Sequence, residues 1–176
     1  MTKRAEQSLT ERLALKAPEM KAEEEVLRAS IQALRGKIAD AGRELEAHFA
    51  EKRDEVAKRT GNFVSRCFRV HIRNSVTLEW GNMIPLKKAG KVKFMTIEGK
   101  KRNSPTYKLK DLLDKQPPEL HGTITEVEAR AIELREMLLQ LTSFNLSMQT
   151  ITNRINKIAS LKAIETAAND SDSGEF

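Results

Sequence analysis

From Leu27 onward, apolar residues recur in alternating steps of four and three: Leu27, Ile31, Leu34, Ile38, Ala41 and Leu45, with His48 next in the series. This spacing predicts a long amphipathic helix that packs along one stripe. In heptad terms Ile31, Ile38 and Leu45 take the a position and Leu27, Leu34 and Ala41 the d position, a pattern that favours two-stranded packing. His48 reads as a polar register residue in that seam. Past Leu45 the stripe shifts toward Phe49 and Val56, while Glu23, Glu24, Arg28, Arg35, Lys37, Glu44 and Glu46 make a solvated face. Residues 1–18 lack a sustained seam and read as a flexible arm. Pro18 suits the first turn of a helix over 19–61, and Gly61 suits its left-handed stop.

The period then changes from helical to two. In Arg66 to Arg73, Phe68, Val70 and Ile72 alternate with Arg69, His71 and Arg73. That alternation predicts a strand with one apolar and one basic face. Asn74-Ser75 is the expected turn, and Val76, Leu78 and Trp80 continue the apolar face on a second strand. Gly81-Asn82 and Pro85 are expected to break it. Lys91 to Glu98 reads as a third strand, Thr106 to Leu109 as a short fourth, and Leu112-Leu113 as one helical turn before Pro117-Pro118. Thr123-Ile-Thr-Glu126 matches a capping box opening a second long helix over 123–166. Its predicted seam is Val127, Ala131, Leu134, Leu138, Leu141, Phe144, Met148, Ile151, Ile155 and Ile158. The small acidic tail, 167–176, is expected to be disordered. The fold class is therefore α+β: two long coiled-coil-like helices flanking a small antiparallel β-unit over 62–116.

Charge changes this picture from architecture to partner. The chain of 176 residues carries a net charge of +6, yet Arg66 to Lys110 holds twelve basic residues against two acidic ones, a net of +10. The remainder, nineteen against twenty-three, is −4. Concentration of one sign points to a polyanion, most simply DNA. The candidate DNA-binding residues form three groups: Arg66, Arg69, His71 and Arg73 on the first strand; Lys87, Lys88, Lys91 and Lys93; and Lys100, Lys101, Arg102, Lys108 and Lys110. Alternation is expected to gather the first group on one strand face, with the other two groups in or beside turns. Lysine and arginine contacts to phosphate would give salt-dependent affinity. Trp80 reads as β-core rather than as a base-stacking platform.

Catalysis has little to stand on. Cys67 is flanked by Arg66 and Arg69, which would favour a thiolate, but no base and orienting partner can be read beside it. Tyr107 lies in a basic context without the histidine cluster a DNA-nicking site would need, and reads as a packing residue. His48, His71 and His121 are isolated, so no metal site is expected, and no phosphate-binding glycine motif occurs. No cofactor is implied. One cysteine excludes an intramolecular disulfide and suggests a reducing, cytoplasmic setting. No apolar run is long enough to span a membrane.

The middle segment resembles a known family. Phe68-Arg-Val-His-Ile-Arg, Val76-Thr-Leu-Glu-Trp80, the basic strand from Lys87 to Phe94, and Thr106-Tyr-Lys-Leu-Lys are similar to the core of the MobI family of conjugative transfer proteins. The resemblance covers roughly Phe68 to Leu113. It implies a small accessory protein that assists mobilisation of DNA from an origin of transfer, working beside a relaxase. The expectation is a non-enzymatic DNA-binding accessory protein, homodimeric through its long helices, with an intramolecular antiparallel helical hairpin as the other way to bury their seams. The alternative is a coiled-coil adaptor or nuclease inhibitor whose basic unit meets an acidic protein surface.

Overall fold

The structure, a computed structural model, describes residues 9–86, 92–97 and 104–172, with side chains over 15–86, 92–97, 104–158 and 160. In chain order the elements are α1 (Leu9–Thr60), β1 (Arg66–Ile72), β2 (Val76–Pro85), β3 (Val92–Thr96), α2 (Leu109–Leu113) and α3 (Pro118–Asp172). This is the expected α+β arrangement, with a long helix before and after a three-stranded antiparallel sheet of order β1-β2-β3. The chain divides into two compact units. One comprises residues 33–141, and the other residues 1–32 with 142–176.

The unit over 33–141 holds the sheet and the main core. Strand alternation works as predicted: Phe68 pairs across with Trp80, and Val70 with Leu78, on one face. That face meets Phe49 and Val56 of α1, and Leu120, Ile124, Val127 and Ala131 of α3. Trp80 is fully buried, with its ring edge-on to Phe49 at 4.9 Å and to Phe68 at 5.1 Å. Its indole N–H donates to Glu128 Oε2 at 2.7 Å. Glu128 is itself buried against Arg135, seven residues on along α3, at 3.1 Å. Arg135 also donates to the Leu78 carbonyl at 3.0 Å and to the Pro105 carbonyl at 2.6 Å, and its guanidinium lies over the Tyr107 ring. The other Glu128 oxygen accepts the Tyr107 backbone N–H at 2.9 Å. The pair thereby fastens α3 to the central strand and to the segment before α2.

The unit over 1–32 and 142–176 is built from the N-terminal part of α1 and the C-terminal part of α3, which run antiparallel. Ala17, Glu24 and Ile31 are buried on α1, and Met148 and Ile155 on α3. Arg28 pairs with Glu24 and donates to the Thr152 hydroxyl at 3.1 Å. Thr152 and Arg28 together hold the Glu24 carboxyl below the usual carboxylate range.

Several boundaries differ from expectation. α1 begins at Leu9, with Pro18 inside it, so the expected arm is helical from Leu9; residues 1–8 lie outside the described residues. All of residues 9–17 but Thr10 are leucine, alanine, glutamate, arginine or lysine, strong helix formers. Propagation through them offsets the one hydrogen bond that proline removes. α3 starts at Pro118 rather than Thr123, since proline is well suited to a first helical position. The capping box is therefore not used. α3 also continues to Asp172 through the alanine-rich stretch around Ala167-Ala168, so only residues 173–176 of the expected tail lie outside the described residues. Gly81 does not end β2, which runs on to Pro85. The segment after Thr106 forms no fourth strand, because the Tyr107 amide is taken by Glu128. The turn at Asn74-Ser75 and the left-handed Gly61, φ 67°, are as expected.

The heptad seam is only half used within the chain. Ile31 and Ile38 are buried, whereas Leu27 and Leu34 are exposed. On α3, Phe144 and Ile151 likewise fall outside the buried row of Met148 and Ile155.

Replacing Arg135 with Met is expected to cost about 3–5 kcal/mol, because Glu128 is left buried and uncompensated. Adding Glu128→Gln should recover part of that loss. Urea denaturation followed by Trp80 fluorescence measures both; losses that simply add would show that the pair does not act as one unit.

Candidate nucleic-acid interface

With Phe68, Val70, Leu78 and Trp80 committed to the core, the intervening residues project from the opposite side of the sheet. Arg69 and His71 lie there on β1, and Glu79 on β2 faces Arg69 in the register. Phe94 of β3 joins them: the Arg69 guanidinium sits 4.9 Å over its ring, and the His71 ring meets it edge-on at 5.5 Å. Glu79 Oε2 lies 4.0 Å from His71 Nε2 and accepts from the Thr96 hydroxyl at 3.4 Å. This small cluster holds an arginine and a histidine in place on a rigid sheet. Stacking on Phe94 fixes the guanidinium plane while leaving its N–H edge available for an anion.

Gly81 permits this arrangement. A Cβ there would collide with the Phe94 ring and approach the Met95 carbonyl oxygen at 2.7 Å. β3 can thus lie close to β2 only because residue 81 has no side chain.

Arg66 does not join Arg69 and Arg73. A strand has a period of two, so residues 66 and 69, three apart, point to opposite faces. Arg66 is buried, and its guanidinium donates to the Asp111 carbonyl at 3.1 Å and the Asp114 carbonyl at 3.4 Å. It thereby supplies donors to the carbonyl end of α2. Burial pushes its pKa below the usual arginine value. Arg73 is exposed just past β1. Lys93 is exposed on β3, on the side opposite Phe94, and Lys108 and Lys110 are exposed at the start of α2. Lys87, Lys88, Lys91, Lys100, Lys101 and Arg102 lie outside the described residues. In sequence they belong to the two segments that precede and follow β3, one of the two edge strands.

The candidates for covalent chemistry are closed off. Cys67 is 3% exposed, and burial raises its thiol pKa, which opposes thiolate formation. Tyr107 is equally buried beside Arg135, and burial raises its phenol as well. Among the described residues no helix is long and apolar enough to cross a membrane.

Sequence reading missed Glu46, Glu128 and Arg135 as structural anchors. Glu46 Oε2 accepts the Val70 amide at 2.9 Å, closing part of the β1 edge. Glu128 and Arg135 stand seven residues apart beside the predicted α3 seam. Two turns of spacing and opposite charge were the available signal.

A three-stranded antiparallel sheet with a long helix before and after it, its outer face presenting Arg69 and His71, defines a small α+β protein. The MobI protein family model matches residues 38–149, nearly two thirds of the chain, and the chain belongs to the MobI family. That membership points to an accessory role in conjugative mobilisation. Neither the curated proteins nor the solved structures compared with the chain include a match.

Gly81→Ala is expected to displace β3 and cost about 1–3 kcal/mol through overpacking. The His71 ring resonances should shift as Phe94 moves away. Unchanged resonances and stability would show that the Phe94 contact does not depend on the glycine.

Proposed function

We propose that this chain is a non-enzymatic DNA-binding accessory protein that assists relaxase action at an origin of transfer, in a cytoplasmic setting. The observation that carries this reading is the net charge of +10 between Arg66 and Lys110. With Arg66 committed to the α2 carbonyls, eleven basic residues of that stretch are left for a partner. The outer face of the sheet supplies Arg69 and His71, the turn after β1 supplies Arg73, and the segments on either side of β3 supply most of the lysine-rich remainder. Family membership supports the same process.

Division of labour follows from rigidity. The lysines beside β3 act as point charges that neutralise phosphates and set affinity. Arg69 is the better candidate for sequence preference, because its guanidinium is held on a strand over Phe94 and can pair bidentately with guanine, with Arg73 in the adjoining turn as the second candidate. Lys93, Lys108 and Lys110 extend the phosphate-binding set.

Affinity for a duplex should fall with salt, with a slope near −0.9 per phosphate neutralised. Replacing Lys87, Lys88 and Lys91 together by alanine should weaken binding to all sequences and flatten the slope by up to about 3. Replacing Lys100, Lys101 and Arg102 should do the same. Arg69→Ala should instead narrow the difference between preferred and random duplexes. A fluorescence-anisotropy salt titration measures all of these. Absence of binding by the wild type at low salt would reject the reading in favour of an adaptor that meets an acidic protein surface.

A further inference from the structure

The unit formed by residues 1–32 and 142–176 leaves one of its own faces apolar. Met20 is 40% exposed and Leu27 42% on α1; Phe144 is 46% exposed and Ile151 45% on α3. Each pair is seven residues apart, so each makes a row along its helix. The geometry places the two rows together. Leu27 lies three residues beyond buried Glu24, and Ile151 three beyond buried Met148. Arg28 and Thr152, each four beyond the same buried residues, touch along one edge of the antiparallel seam. In an antiparallel pair, positions four beyond the seam share one edge and positions three beyond share the other. Met20, Leu27, Phe144 and Ile151 therefore form a single face.

We infer that this face binds the same face of a second copy of the chain, making a four-helix bundle. Three features select a second copy. The heptad spacing on both helices is the pattern that interlocks with its own kind, knobs into holes. The core between the two helices is thin: among the described side chains, Ala17, Ile31, Met148 and Ile155 around a charged Glu24. A further packed layer is what such a pair lacks. The rim is also complementary. Glu23 flanks the α1 row and Arg154 flanks the α3 row. A two-fold axis along the bundle sets α1 of each copy against α3 of the other, so the opposite charges meet twice. Four large side chains exposed to this degree make a patch on the order of 300 Å², the scale that marks an interaction site. A face two helices wide and about 25 Å long approaches the roughly 800 Å² per partner of a standard interface.

The test is light scattering after size exclusion, with the full chain at tens of micromolar. The wild type is expected to be a dimer. Leu27→Glu with Phe144→Ser should give a monomer of unchanged helicity by circular dichroism, because both side chains are exposed in the single chain. Val26→Glu, at a position 66% exposed and off this face, should remain dimeric. Glu23→Arg and Arg154→Glu should each raise the dissociation constant several-fold, and the two together should restore it. A monomeric wild type overturns the inference, as does a dimer that persists in the Leu27/Phe144 variant or a charge swap without rescue.

Discussion

The fold turns on the buried pair of Glu128 and Arg135. Two charges removed from water are stabilising only when their remaining hydrogen-bonding capacity is filled. Here Trp80 and the Tyr107 amide fill the carboxylate, and the Leu78 and Pro105 carbonyls fill the guanidinium. The pair draws partners from the central strand, from the segment before α2 and from α3 itself. No apolar substitute could satisfy those backbone groups. Its contribution is therefore geometric: it fixes the sheet on α3 and fixes the segment before α2 against both.

That anchoring explains why one sheet serves two purposes. Its inner face is filled by Phe68, Leu78 and Trp80, and Arg66, on the same side, is consumed in closing the end of α2. The outer face holds buried Cys67, and Met83 opposite Phe94, and beside these it carries Arg69 and His71. The parity of a strand divides the arginines of β1 into one that holds the end of α2 and one that stacks on Phe94 on the outer face. In the proposed function, this turns a run of basic residues into a rigid contact flanked by lysine-rich segments.

Much of the fold was legible because its elements follow strong periods. The hairpin of β1 and β2, the inward Trp80, the Gly61 stop and the two long helices all come from alternation or helical spacing over many residues. Family membership was legible from the short blocks around Phe68, Trp80 and Tyr107. Helix ends were less so, since propagation through good helix formers carried α1 past Pro18 and α3 past Thr166. The seam was also over-read. Steps of three and four mark a stripe, but they do not say which half of it packs within the chain, and Leu27 and Ile151 proved to lie outside the buried half. Grouping Arg66 with Arg69 ignored a spacing of three on a period of two. Glu128 and Arg135 escaped notice because charged residues beside a seam ordinarily face solvent; only the tertiary contacts reveal that these do not.

The central claim is that a rigidly anchored sheet presents the basic segment to DNA. Hydrogen–deuterium exchange of the full chain, with and without a duplex, tests it most directly. The account predicts slow exchange at the Tyr107 and Val70 amides in both states, reflecting their carboxylate partners. It also predicts new protection on DNA addition at residues 87–91 and 98–103 and around Arg73. Protection confined to α1 and α3, or none anywhere at low salt, would contradict it.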